Sequence, residues 1–136
     1  MGQKKFYVPP RLTAYDPAGI PELVKLFQGD LIRAHVPATY TTIVDQDRKF
    51  IEVSDSFSKL LGYKREELIG IQYDHLTVPN TTDIPTTQSL VVRLGYLRGL
   101  WMLNHRNGHR ILIRYEAWLR PDRNIQSNIE VVQTFG

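Results

Sequence analysis

The sequence predicts an α+β fold, in which strands open and close one domain and short helices lie between them. Three observations support this prediction. Two short segments rich in β-branched and aromatic residues flank a polar turn at residues 46–49. Several short amphipathic segments follow, each ended by a glycine. In the last third, an Asn-Gly pair at residues 107–108 lies between two β-forming segments, which is a strong hairpin signal.

Length, composition and charge narrow the classes of protein to which the chain can belong. Its 136 residues, 42% of them hydrophobic, suit a single packed domain. A net charge of +3 does not call for a nucleic-acid partner. No apolar run approaches the roughly 20 residues that span a bilayer, and the N-terminus lacks the apolar segment of a signal peptide. The absence of cysteine fits a reducing compartment. We therefore expect a cytoplasmic protein that binds neither nucleic acid nor membrane.

Residues 1–38 are predicted to form an irregular arm and an amphipathic flanking helix. Prolines and glycines interrupt residues 1–19, whereas apolar residues recur at spacings of three and four from Ile20 to about Ala34. Pro37 then ends the helix. The apolar face of this predicted helix includes Leu23, Phe27 and Leu31.

The predicted domain, residues 39–136, begins with a hairpin and continues with short helices. Its first strands lie at residues 39–45 and 50–53. Ser54 or Asp55 is expected to cap the next helix, which ends at Gly62 because glycine tolerates a positive φ. A second short helix ends at Gly70, a loop follows through Thr82, and a longer helix is predicted from Asp83 to about Arg98.

The last third is predicted to be sheet, with strands at residues 100–106, 109–119 and 125–132. A two-residue Asn-Gly turn would pair Arg106 with His109. His105 and His109 would then lie on opposite faces, which disfavours a shared metal ion. One face of the hairpin would collect Leu100, Met102, Asn104, Ile111, Ile113, Tyr115, Ala117 and Leu119. The other would collect Trp101, Leu103, Leu112 and Trp118 among charged residues, more apolar surface than water is expected to cover.

The order of these motifs is more specific than any one of them. The strands Ile43-Val44-Asp45 and Phe50–Val53 precede a capped helix, the run Leu60-Leu61-Gly62-Tyr63, the run Glu66-Glu67-Leu68-Ile69-Gly70 and the Asn-Gly hairpin. Over about residues 40–133 this order resembles a PAS domain of the S-box type. The resemblance implies a five-stranded antiparallel sheet with short helices on one face. It also implies sensing of small molecules, light or redox state, or protein docking, commonly as a dimer.

The resemblance does not extend to every feature of the family. Ser54 stands where an asparagine commonly follows the second strand, so no ligand role is carried over to this position, although serine can still cap the helix. The chain has no cysteine for a flavin adduct, and the predicted helix at residues 83–98 has no histidine for haem. We therefore expect no flavin and no haem, and either a small ligand held without covalent bonds or no ligand.

In a PAS-like fold, the inner face of the sheet lines a ligand cavity. The residues expected there are Met102, Asn104, Ile111, Ile113, Tyr115 and Ser127, with His75 as a further polar contact. The alternative for His75 is a surface histidine bonded to a nearby carboxylate or carbonyl group. On the outer face, Trp101, Leu103, Leu112 and Trp118 are expected to meet Leu23, Phe27 and Leu31, from the same chain or a second copy, or a partner protein.

The sequence therefore predicts a PAS-type signalling module rather than an enzyme, which forms a homodimer and acts on a signalling effector protein or domain. Two alternatives remain open. One is a small α+β pocket enzyme of the isomerase or dehydratase type, for which Asp74 and His75 are the candidate acid and base. The other is a structural dimerisation domain whose core is filled and which binds no ligand.

Overall fold

The computed structural model describes Phe6 and residues 36–136. The predicted flanking helix, with Leu23, Phe27 and Leu31, lies outside the described residues. Within residues 36–136, no helix is both long enough and apolar enough to cross a bilayer. The same residues contain no group of three or more side chains that could hold a metal ion.

The described residues form a five-stranded antiparallel sheet with short helices between its second and third strands, as predicted. Along the sheet the strands lie in the order β2-β1-β5-β4-β3. In chain order, the elements are β1 (Tyr40–Val44), β2 (Phe50–Val53), α1 (Asp55–Leu61), α2 (Arg65–Leu68), a 3₁₀ helix (Tyr73–Leu76), α3 (Ile84–Leu94), β3 (Tyr96–Asn104), β4 (Arg110–Leu119) and β5 (Ile125–Phe135). The inner face of the sheet packs against these helices in a single apolar core.

The local signals at α1 act as the sequence predicts. The Ser54 hydroxyl accepts a hydrogen bond from the backbone N–H of Phe57 at 3.3 Å, which caps the first turn. Gly62 ends the helix with φ +84°. The tip of the β3–β4 hairpin rests at this point, where the backbone N–H of Arg106 donates to the Leu61 carbonyl at 2.9 Å.

The predicted end of α3 is wrong by four residues. The helix stops at Leu94, not near Arg98, because Gly95 adopts φ +79° and its N–H donates to the Val91 carbonyl at 2.8 Å. The next residue already belongs to β3, where Tyr96 pairs with Trp118. The spacing of the leucines favours a longer helix, but from Tyr96 onward the chain pairs with β4 instead.

The predicted register of the β3–β4 hairpin is wrong by one residue. The connection is a three-residue loop: His105 and His109 close it, the Gly108 N–H donates to the His105 carbonyl at 2.8 Å, and Gly108 has φ +95°. This geometry is a turn followed by a glycine bulge rather than a two-residue turn. The two histidines therefore face each other and stack with ring centroids 4.2 Å apart, and are not on opposite faces. Burial lowers the pKa of His105, and the neighbouring His109 lowers it further.

The change of register exchanges the two faces of β3 and leaves those of β4 as predicted. Trp101 now pairs with Ile113, and Leu103 with Ile111, so both β3 side chains face the core. Met102 pairs with Leu112 on the outer face. The predictions for Trp101, Leu103, Met102 and Asn104 are therefore wrong in the face that they assign. Leu112 and Trp118 remain on the outer face, where Trp118 is 5% exposed.

Candidate functional site

A cavity of about 90 Å³ lies between the inner face of the sheet and the helical layer. Both layers contribute to it: the strands of the sheet face it from one side, and α1, the 3₁₀ helix and α3 face it from the other. The residues that line it are Thr42, Val44, Phe50, Phe57, Tyr73, Thr87, Gln88, Val91, Trp101, Leu103, Ile113, Tyr115, Ala117, Ile125, Ser127 and Ile129.

Aromatic side chains form one continuous wall of the cavity. Trp101 lies between Tyr73 and Tyr115 and makes an edge-on contact with each, with ring centroids 5.7 Å apart in both pairs. Phe50 contacts Tyr73 and Phe57 at 6.5 and 5.8 Å. Trp101 is held in place because its indole N–H donates to the Thr77 hydroxyl at 2.9 Å. Edge-to-face contacts of this kind stabilise aromatic clusters beyond the burial of their surface.

Tyr73 and Gln88 connect the helical wall of the cavity to the sheet. The Tyr73 hydroxyl donates to the Gln88 Oε1 atom at 2.8 Å, and the Gln88 Nε2 atom donates to the Asp45 carbonyl at 3.3 Å. Burial raises the pKa of Tyr73, so its hydroxyl keeps the proton that this bond requires even at an alkaline pH that ionises a free phenol. The hydrogen bonds therefore fix α3 to the 3₁₀ helix and to the end of β1.

Three hydroxyl groups on the sheet line the cavity. Thr42 and Ser127 are direct cross-strand neighbours on β1 and β5. Tyr115 lies across from Gly99, and a Cβ atom there would come within 3.0 Å of the Tyr115 hydroxyl, so the missing side chain leaves room for the phenol ring. Burial raises the pKa of Tyr115 to about 12, so this hydroxyl stays neutral even at about pH 10, where a free phenol is half ionised.

No aspartate, glutamate, lysine, arginine or histidine is among the described residues that line the cavity. Asp74 instead forms a bidentate ion pair with Arg48, with nitrogen–oxygen distances of 2.9 and 3.1 Å. His75 is exposed and does not line the cavity. The arrangement therefore presents a neutral pocket, in which the polar groups can donate or accept hydrogen bonds but cannot compensate a buried charge.

The structure brings together some of the predicted site residues and separates others. Ile113, Tyr115 and Ser127 line the cavity; Ile111 lies on the same face but is buried outside the lining. Met102 and Asn104 lie on the opposite face of the sheet. Trp101 and Leu103, predicted as docking residues, line the cavity instead. The predicted docking role of Leu112 and Trp118 stays a prediction, and Leu23, Phe27 and Leu31 lie outside the described residues.

Sequence reasoning missed the helical wall of the cavity. Phe57 and Val91 stand on the apolar faces of predicted helices, so burial can be expected for both. Their position at a cavity depends on how the helices cross the sheet. The sequence pattern does not determine this crossing geometry. Gln88 carries no signal except its place on a helix, and Tyr73 stands in a segment that the sequence predicts as a loop.

Comparison with known proteins identifies related folds only among solved structures. The sequence matches no protein-family model and no curated protein. A domain of a sensory box sensor histidine kinase/response regulator from Geobacter sulfurreducens is similar, with a TM-score of 0.60 and 23% identity over 77% of this chain and 94% of that domain. A PAS domain from Colwellia psychrerythraea is similar with a TM-score of 0.60 and 21% identity, over 68% of this chain and 85% of that one.

An animal protein shares the same fold. The PAS-B domain of Drosophila melanogaster Cycle, with bound ethylene glycol, is similar with a TM-score of 0.60 and 12% identity. The match covers 68% of this chain and 98% of that domain. Identities this low relate the architectures, and they leave the signal and the partner of this chain to be argued from its own residues.

Proposed function

We propose that this chain, whose described residues have a PAS-type fold, is a signal-sensing module that binds a small molecule in its internal cavity. The observation that carries the proposal is the cavity itself, because it separates the inner face of the sheet from three helical elements. A molecule that enters contacts both layers and can change how they pack. The structure of Cycle PAS-B holds ethylene glycol, and that of its tryptophan-to-alanine variant holds glycerol, which supports the proposal that a domain of this fold admits a small molecule.

The ligand of this proposal is held by non-covalent contacts, and neither flavin nor haem is part of it. The cavity is well below the ~300–1,000 Å³ of pockets that enclose drug-sized ligands. No histidine faces it among the described residues, and the sequence has no cysteine. A binding role is also favoured over catalysis, because the Asp74 carboxylate is engaged by Arg48 and does not reach the cavity.

The sheet offers a route from the cavity to the opposite surface. Tyr115 and Ala117 line the cavity, whereas Glu116 and Trp118 alternate with them and lie on the outer face. Glu116 is 1% exposed, and its Oε1 atom accepts a hydrogen bond from the Val36 N–H at 3.0 Å. A ligand that shifts β4 would therefore disturb a buried contact where the chain enters the domain. The output we propose is a population shift in the packing of this outer face against a second copy or an effector.

Native mass spectrometry combined with hydrogen exchange tests this proposal. We expect the purified protein to carry a small molecule at stoichiometric amount, or to acquire one from a cell extract. Ala117→Leu, which adds bulk to the sheet wall, should abolish that binding and change amide exchange at residues 36 and 116–118. Val91→Phe fills the cavity from α3 and provides a second variant, and Ala38→Leu at an exposed loop is the matched control.

The result that would overturn the proposal is equally specific. The protein would carry no molecule and take none from the extract. The cavity-filling variants would raise its stability and leave amide exchange at the outer face unchanged. Together these results would identify a ligand-free structural domain.

A further inference from the structure

We infer that the cavity is built for a small, neutral aromatic molecule that carries a hydroxyl group. This inference rests on the sensing function proposed above and names the chemical class of the ligand. Three properties of the lining support it: the absence of charged side chains among the described lining residues, the aromatic wall, and hydroxyl groups with hydrogen-bonding capacity to spare.

The first property excludes ions. A carboxylate or an ammonium group that left water for this cavity would face apolar side chains, hydroxyls and one amide, with no opposite charge in the described lining. Uncompensated burial of a charge is strongly unfavourable, even after local relaxation. Arg48 and Asp74 neutralise each other in an ion pair, and neither lines the cavity. Acidic metabolites and amines are therefore disfavoured relative to neutral molecules of the same shape.

The second property favours a ring. Trp101 already makes edge-on contacts with Tyr73 and Tyr115, and Phe50 and Phe57 continue the same wall. Aromatic pairs in edge-to-face or offset geometry gain stabilisation beyond the burial of their surface. The volume of about 90 Å³ is below the ~150 Å³ of an apolar protein cavity that holds benzene, so the ligand can have no more than one ring.

The third property favours a hydroxyl group on the same molecule. Thr42 and Ser127 are adjacent across β1 and β5, and neither side chain has a hydrogen-bond partner among the described residues. Each hydroxyl can donate one hydrogen bond and accept two. A ligand hydroxyl between them would both donate and accept, which satisfies groups that are otherwise left to water in a mostly apolar space.

Three probes of nearly equal shape separate these properties: benzyl alcohol, toluene and benzoate. Titrations monitored by NMR of the isoleucine methyl groups would report on Ile113, Ile125 and Ile129, which line the cavity. We expect saturable shifts with benzyl alcohol, about five-fold weaker binding of toluene, and no saturable shift with benzoate at the same concentration.

Variants then assign the binding to the hydroxyl pair. Thr42→Val together with Ser127→Ala should weaken benzyl alcohol about five-fold or more and leave toluene unchanged. Ala117→Leu should abolish the binding of both, and its thermal unfolding shows whether it is folded. Should it unfold, Val91→Phe blocks the same space from α3.

Each contrary result has a distinct meaning. Binding of benzoate as tight as that of benzyl alcohol would overturn the neutral class. Equal binding of toluene and the alcohol, unaffected by the hydroxyl variants, would overturn the role of Thr42 and Ser127. If no probe saturates, the ligand class is wrong. A bound molecule that native mass spectrometry detects in the wild type and not in Ala117→Leu would still leave the sensing function standing.

Discussion

Gly62 is the residue at which the helical layer and the β3–β4 hairpin meet. It has φ +84°, and a Cβ atom there would lie 2.7 Å from the Cε1 atom of His105. The hairpin tip is also tied down by Arg106, whose guanidinium lies 5.2 Å from the centre of the Tyr63 ring and pairs with Glu67 at 2.9 Å. Position 62 requires glycine for two reasons. The first, the end of a helix, can be inferred from the sequence alone. The second, the close approach of His105, is visible only in the folded molecule.

Gly62→Ala is expected to destabilise the domain by about 2–4 kcal/mol, since the left-handed conformation costs about 1–2 kcal/mol for alanine and the contact with His105 adds to it. Gly70→Ala is the matched control, because Gly70 has φ +93° but a methyl group there would have no other atom within 4 Å. Urea denaturation measures both. Adding His105→Ala to Gly62→Ala should recover part of the loss, and equal losses at Gly62 and Gly70 would contradict the steric argument.

The buried phenol of Tyr115 should make the stability of the domain fall at alkaline pH. Burial raises its pKa in the folded state to about 12, above the value of about 10 in an unfolded chain. The folded state therefore favours the protonated phenol. This contribution is complete below about pH 10 and is lost as the pH rises towards 12. The buried Tyr73 acts in the same direction.

We expect Tyr115→Phe to reduce that loss. Between about pH 9 and about pH 11.5, the free energy of unfolding of the wild type should fall by about 2 kcal/mol more than that of the variant. Urea denaturation at the two pH values measures the difference. The Tyr115 hydroxyl has no hydrogen-bond partner among the described residues, so the two proteins should have similar stability near pH 7. If the free energy of unfolding fell equally in the wild type and in Tyr115→Phe, the phenol of Tyr115 would not be the group that titrates.

Helix α1 depends on Ser54 more than its sequence pattern alone suggests. Besides capping the helix, the Ser54 hydroxyl accepts a hydrogen bond from the Thr41 N–H at 3.0 Å, so that one side chain joins the helix to β1. Ser54→Ala is expected to cost about 1–2 kcal/mol in urea denaturation. Ser54→Asn should restore at least half of this loss, because its side-chain carbonyl can accept the same bonds. No recovery with asparagine would show that the hydroxyl itself, and not capping, is required.

The elements differ in how far local sequence determines them. The β1–β2 hairpin, the Ser54 cap and the end of α1 follow from signals within a few residues, and all three are confirmed. The β3–β4 register is not predictable in the same way. Asn107-Gly108 fits both a two-residue turn and a three-residue loop with Gly108 in the bulge, and the two differ by one residue in pairing. Burial of Trp101 in the core selects between them.

The same limit explains what sequence reasoning misses at the cavity. Alternation along β4 and β5 places Ile113, Tyr115 and Ser127 on the inner face, because each strand carries its own pattern. Trp101 requires the correct register, and Gln88 requires the position of α3 over the sheet. Contacts between elements that are distant in sequence therefore account for the residues that sequence reasoning does not find.

The outer face of the whole sheet is unevenly exposed. Along the cross-strand row of Ile43, Gln126 and Trp118 it is closed, with exposures of 1%, 3% and 5%. Towards β3 it opens, where Leu100 is 60% exposed beside the cross-strand pair of Met102 and Leu112. The corrected register thus moves the open apolar surface from Trp101 and Leu103 to Leu100 and Met102. If the proposed homodimer forms through this face, it should use the β3 side.

Leu100→Glu is therefore expected to convert a dimer into a monomer, because a charge at the centre of an apolar contact is unfavourable. Light scattering should show the mass fall by about half. Leu94→Glu is the matched control: Leu94 is 61% exposed but lies at the end of α3, away from the outer face, so the mass should not change. A wild-type protein that is monomeric at all concentrations, or a dimer that survives Leu100→Glu, would remove this face as the site of self-association. In that case the outer face would be left to an effector.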